Sequence, residues 1–139
     1  MITALDTNVI VALWHDEEMS LVALKALEEA RNQGALVISA PVFAELAAHP
    51  GRTVEFVNQF LEVTAIDVDW EISEDVWRLA GAAFRTYAIR RKKERRETPR
   101  RILADFVIGA HAMQRRSRLI TLDGGLFRSV FPDLDLLLL

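Results

Sequence analysis

Short apolar runs and amphipathic stretches alternate along this chain, and their periods predict an alternation of strands and helices. Ile2-Thr3-Ala4-Leu5 reads as a buried strand that stops at Asp6-Thr7-Asn8, a turn or helix-cap sequence, before a short apolar helix from Val9 to Trp14. Ser20 is the predicted N-cap of a second helix carrying Leu21, Leu24, Ala26 and Leu27 at helical spacing, with Gly34 as its end. Leu36-Val37-Ile38 is a second strand. Pro41 opens a helix through Val42, Phe43, Leu46 and Ala47 that His49-Pro50-Gly51 breaks, and Val54, Val57, Phe60 and Leu61 mark another. Val63 to Val68 reads as a third strand. Ser73 opens a long helix through Val76, Ala80, Ala83 and Tyr87 into a basic arm, ended by Thr98-Pro99. Ile102 to Met113 is a further helix. Arg118 to Leu122 is a fourth strand closed by the turn Asp123-Gly124-Gly125, and Leu134 to Leu139 is a fifth.

Strands separated by helices imply crossover connections and a mostly parallel sheet covered on both faces, an α/β three-layer sandwich. At 139 residues, with no linker or internal repeat, residues 1–139 are expected to form a single domain. No apolar run approaches the roughly 20 residues of a membrane span. The start of the chain lacks the charged and apolar regions of a secretory signal, and there are no cysteines, so a cytoplasmic protein is expected. The missing thiols also exclude disulfides, thiolate zinc sites and cysteine nucleophiles.

Charge changes the picture. The formal total is −3, but residues 90–101 hold eight basic side chains against Glu94 and Glu97, a local +6 that leaves −9 on the remainder. An acidic body with one basic arm suits a protein that holds cations in one place and phosphates in another.

Four carboxylates stand in apolar company: Asp6 at the end of the first strand, Glu45 within Val42-Phe43-Ala44-Glu45-Leu46, Asp105 within Ile102 to Ala110, and Asp123 after the fourth strand. Such charges are costly unless paired, hydrogen-bonded or bound to metal. In an open parallel sheet the ligand crevice lies beyond the carboxyl ends of the strands, where Asp6 and Asp123 are expected. Gly109 and Ala112 share the helix face of Asp105 and are expected to leave room for an approaching group. Converging acids without cysteine or clustered histidine favour Mg²⁺ or Mn²⁺ over zinc. Plainer roles exist for each: a helix cap for Asp6, a turn for Asp123, a buried arginine pair for Glu45 or Asp105.

In order and spacing, Leu5-Asp6-Thr7-Asn8-Val9-Ile10, Pro41-Val42-Phe43-Ala44-Glu45-Leu46, Leu103 to Ala112 and Leu119-Ile120-Thr121-Leu122-Asp123 resemble the PIN-domain ribonucleases, most closely the VapC-type toxins of toxin–antitoxin pairs. The resemblance covers essentially the whole chain. It implies a five-stranded parallel sheet with helices on both faces and Mg²⁺- or Mn²⁺-dependent endonucleolytic cleavage of RNA. It also implies metal ligation by Asp6 and Asp105, with Glu45 and Asp123 at a second ion or its waters, and Asn8 and Thr121 orienting ligands or the attacking water. As partners it implies a VapB-type antitoxin, whose basic side chain enters the acid cluster, and a second copy in a homodimer.

The basic arm is denser than this pattern requires. It is expected to bind RNA phosphates, so that replacing Arg95, Arg96, Arg100 and Arg101 by glutamine flattens the salt dependence of binding; the other role open to it is a solvated helix end. His111 lies off the Asp105 face and is expected to be structural. Trp14, Trp70 and Trp77 are expected in the core, and Leu136 to Leu139 in a buried strand.

Three other functions fit parts of the pattern. A haloacid-dehalogenase-like phosphatase needs an acid two residues after its first aspartate, where this chain has Asn8. A receiver-like phosphoacceptor would need Asp67 or Asp69 as nucleophile. A non-cleaving PIN module that only binds RNA or antitoxin would not need four intact acids.

Overall fold

The computed structural model describes residues 1–15, 18–94 and 102–139. Five strands form one sheet: β1 (Thr3–Leu5), β2 (Leu36–Ser39), β3 (Ile66–Asp69), β4 (Arg118–Thr121) and β5 (Leu136–Leu138). They are all parallel, in the order β3-β2-β1-β4-β5. The helices are α1 (Thr7–Trp14), α2 (Glu18–Gln33), α3 (Ala40–Ala47), α4 (Val54–Val63), α5 (Glu74–Glu94), α6 (Leu103–Gln114) and α7 (Gly124–Val130). From β1 the chain steps outward to β2 and β3, then crosses to the other side of β1 for β4 and β5. Right-handed crossovers put the helices of these two halves on opposite faces, and the order reverses between β1 and β4.

The core bears out the period-based assignment. Leu5, Ile38, Leu119 and Ile120 of the central strands are buried against Val9, Ile10, Val42, Leu46, Phe106 and Ile108 of the helices. Phe106 of α6 stacks on Phe84 of α5 at 4.5 Å and lies 5.4 Å from Tyr87, locking these neighbouring helices side by side. At the close of α2, a Cβ on Gly34 would stand 1.8 Å from the Met1 carbonyl oxygen, so only glycine admits the N-terminal strand there.

Several expectations are corrected. α2 begins at Glu18 and Ser20 lies inside it, the acid being well placed at the positive end of the helix. Val63 and Thr64 do not open β3: Val63 ends α4, and Thr64 caps it by donating its hydroxyl to the Phe60 carbonyl at 2.6 Å. Ala65 then turns the chain with a positive φ of 52°. After Asp123 the two glycines do not merely close a turn; they begin α7, whose Leu126 and Phe127 enter the core. Trp14 is buried edge-on to Phe56 and Phe60, but Trp70 is 62% and Trp77 48% exposed. The expected buried strand Leu136 to Leu139 is instead the edge strand β5, which ends at Leu138, with Leu137 and Leu138 more than a third exposed. Thr98-Pro99 and the arginines at 95, 96, 100 and 101 lie outside the described residues.

Candidate metal-binding site at the sheet switch point

Asp6 leaves the carboxyl end of β1, the central strand, and caps α1 by accepting the Thr7 N–H on Oδ1 at 2.8 Å. Its other oxygen, Oδ2, accepts the Thr121 hydroxyl at 2.7 Å from the end of neighbouring β4. The cap role and the cluster role therefore belong to the same carboxylate. Only 6% exposed, Asp6 is pushed up to about 6. Burial is the main cause; the bonds from Thr121 and Thr7 pull the other way, and the charges of Asp105 and Glu45 push it further up.

Glu45 reaches the same place from α3. The Thr7 hydroxyl donates to its Oε1 at 2.7 Å, and burial together with the Asp105 charge outweighs that bond and raises its pKa. Nothing in the sequence pattern marks Thr7 except its position: a hydroxyl one residue inside the helix that Asp6 caps, able to orient a second acid.

Asp105 lies in the first turn of α6, and its charge acts on both Asp6 and Glu45. Three of the four acids, from β1, α3 and α6, are thus near enough for their charges to act on one another. Asp123 stands at the start of α7, and its backbone N–H joins the group by donating to the Thr121 hydroxyl oxygen at 3.0 Å. Asn8 ties α1 to the exit of β4, accepting the Leu122 N–H on Oδ1 at 3.2 Å and donating to the Thr121 hydroxyl oxygen at 3.4 Å. Thr121 and Asn8 accordingly position Asp6 and the strand end.

Among the described residues, no three His, Asp or Glu side chains are grouped so that they could hold a metal ion. The donor chemistry nevertheless fits a hard divalent cation, because the converging ligands are carboxylate oxygens whose mutual charge and burial disfavour ionisation without one.

Other candidates are placed elsewhere. Gly109 does not open space for a ligand: a Cβ there would stand 2.3 Å from the Phe131 ring, so the space is taken by that ring. His111, 1% exposed, is structural as expected, its Nε2 lying 2.8 Å from Asp69 Oδ2. Arg115 Nε approaches the same oxygen at 2.9 Å. Burial raises Asp69, but the bonds from His111 and the Glu71 N–H and the charge of Arg115 outweigh it, leaving the carboxyl low. Asp69 is thus the anchor of α6 to an edge strand and is engaged there, which leaves the receiver-like reading only the exposed Asp67 as nucleophile.

A model of the PIN-domain family matches residues 3–130. No curated protein matches the chain significantly by sequence. Solved structures similar to it include VapBC2 from Rickettsia felis bound to a promoter DNA fragment, with TM-score 0.70 and 22% identity over 100% of this chain and 99% of that one. VapBC-1 from nontypeable Haemophilus influenzae gives 0.68 and 25%, covering 99% and 98%. A toxin–antitoxin complex from Klebsiella pneumoniae gives 0.69 and 21%, covering 97% and 95%. No helix among the described residues is long and apolar enough to cross a membrane.

Proposed function

Because this chain belongs to the PIN-domain family, we propose that it is a divalent-metal-dependent endoribonuclease, the VapC-type toxin of a toxin–antitoxin pair. The observation that carries this reading is the buried Asp6, held between the charges of Glu45 and Asp105 at the switch point of the sheet. The toxin–antitoxin assemblies that share its fold support the partner, a VapB-type antitoxin, at up to 25% identity. A homodimer accompanies this reading.

Asp6 and Asp105 would hold Mg²⁺ or Mn²⁺, with Glu45 and Asp123 beside them. When bound, the ion supplies a Lewis acid that polarises the scissile phosphodiester and acidifies the attacking water. The chain's own residues prepare that chemistry. Thr121 and the Thr7 N–H fix both oxygens of Asp6, so the carboxylate cannot rotate away. The Thr7 hydroxyl fixes one oxygen of Glu45 and leaves the other to accept a proton or a water. The concentrated negative charge also repels RNA phosphates until a cation neutralises it, which makes cleavage conditional on metal.

Purified protein is expected to cut RNA in Mg²⁺ or Mn²⁺, to stop in EDTA, and to lose at least about 10²-fold in rate as Asp6→Asn or Asp105→Asn while the far-ultraviolet dichroism stays unchanged. Cleavage that persists in EDTA, or that both variants retain, overturns the reading.

A further inference from the structure

A serine at a helix N-cap ordinarily accepts the N–H of the second or third helical residue. Ser39 caps α3, but the second residue of that helix is Pro41, which has no N–H, and the Ser39 side chain makes no cap bond. Ser39 is only 3% exposed, and its Oγ has no hydrogen-bond partner of any kind. A hydroxyl buried unused in this way costs stability.

Strand register places this hydroxyl. Ser39 pairs with Asp69 of β3, and two residues on from the pair Ala4↔Val37 it stands level with Asp6, which is itself level with Thr121 one residue on from Leu5↔Ile120. Asp6 (φ −78°, ψ 154°) and Ser39 (φ −77°, ψ 159°) both keep extended backbone, so the row continues through the strand ends. Asp69, Ser39, Asp6 and Thr121 therefore cross the carboxyl edge of the sheet in one row, and neighbours in such a row point to the same face. That face is the one α6 covers, since Asp105 acts on Asp6 and His111 meets Asp69. Adjacent strands lie about 4.8 Å apart, which puts the Ser39 hydroxyl within one bridging water of the Asp6 carboxylate without a direct bond between them.

Asp6 has capacity left on that side. Each of its oxygens accepts one bond, from Thr7 or Thr121, and keeps a second lone pair. Asp69, the other neighbour of Ser39, is already engaged by His111, Arg115 and the Glu71 N–H. Thr3 Oγ1 and Trp14 Nε1, also buried without a partner, lie off this row, on the third residue of the chain and at the far end of α1.

We propose that Ser39 is a positioning residue of the acid cluster, its hydroxyl holding one of the waters that hydrate a divalent ion at Asp6. The proposal rests on the metal-dependent reading above and adds a residue to it. A hard ion bound by few carboxylates keeps several of its waters, and each of these needs an acceptor. Pro41 leaves the Ser39 oxygen free to be that acceptor instead of a helix cap.

The test compares wild type with Ser39→Ala, Ser39→Thr and Thr3→Val, reading Mn²⁺ affinity from the electron paramagnetic resonance of the free ion and fold stability from urea unfolding in EDTA. Ser39→Ala is expected to unfold at no lower urea than wild type, because it deletes an unused hydroxyl, and to bind Mn²⁺ about 10-fold more weakly. Ser39→Thr, which returns the hydroxyl, is expected to return the affinity. Thr3→Val deletes an equally buried and unpartnered hydroxyl about 10 Å back along β1 and is expected to leave the affinity as it is.

A Ser39→Ala protein that binds Mn²⁺ as tightly as wild type overturns the assignment. So does one that unfolds at lower urea in EDTA, which would give the hydroxyl a partner within the fold itself. An equal loss of affinity in Thr3→Val, or no recovery in Ser39→Thr, overturns it as well. Wild-type protein that cuts RNA in Mn²⁺ while Ser39→Ala keeps full Mn²⁺ affinity defeats the role of Ser39 alone. Ser39-dependent Mn²⁺ binding by a wild type that never cuts RNA defeats the endoribonuclease reading and leaves that role standing, and a wild type that takes up no Mn²⁺ defeats both.

Discussion

Thr121 has one hydroxyl proton, and its surroundings decide where it points. The Asp123 N–H and the Asn8 amide occupy the acceptor side of Oγ1, so the proton goes to Asp6 Oδ2. Even with that bond, Asp6 is raised from 3.8 to about 6, chiefly by burial. Between those values the folded protein holds a proton that the unfolded chain has released, so the Asp6 contribution to stability falls as pH rises through that window. Asp6→Asn removes the charge but, with a single acceptor oxygen, cannot take both the Thr121 hydroxyl and the Thr7 N–H. In metal-free buffer the stability of wild type relative to the variant is therefore expected to fall by about 2–3 kcal/mol from pH 4 to pH 7; urea unfolding at the two pH values measures it. A carboxylate that costs stability as it ionises is retained for something other than folding.

Among the elements, α6 is the most legible in the sequence and α7 the least. A lone Asp105 in an apolar run announces itself because a charge there is costly, and the same logic finds Glu45 in α3. Thr7 escapes that logic because a single hydroxyl carries no comparable penalty. α7 opens on two glycines, poor helix formers that read as a turn, and is held as a helix by the burial of Leu126 and Phe127, which no local pattern reveals. Trp70 and Trp77 mislead for the opposite reason, since large aromatics read as core whichever way their helix or loop faces them. Gly109 of α6 combines both failures: its need for smallness comes from Phe131, distant in sequence and close in space. Gly109→Ala is therefore expected to destabilise the protein by about 1–3 kcal/mol through overpacking, and Phe131→Leu in that background to recover part of the loss. Chemical denaturation of the single and double variants checks it.

At the level of the whole molecule, the parallel pairing follows from the alternation of strands and helices, and the sheet order puts β1 and β4 side by side although more than a hundred residues separate Asp6 from Thr121. Binding of a divalent ion to that junction should appear as stabilisation of the entire fold. At free metal about 100-fold above its dissociation constant the gain is about 2.7 kcal/mol, and each kcal/mol is worth about 3 °C for a chain of this size. Thermal melts with Mn²⁺ are expected to show that rise at pH 7.5 and much less of it at pH 5, where Asp6 keeps its proton. Under the toxin reading, the same long-range junction also governs when the molecule becomes dangerous to the cell that makes it. A ribosome that has finished Asp6, Glu45 and Asp105 has not yet released Thr121 or the strand beside β1, so the nascent polypeptide stays harmless through most of its synthesis, and an antitoxin made alongside it has that interval in which to be waiting.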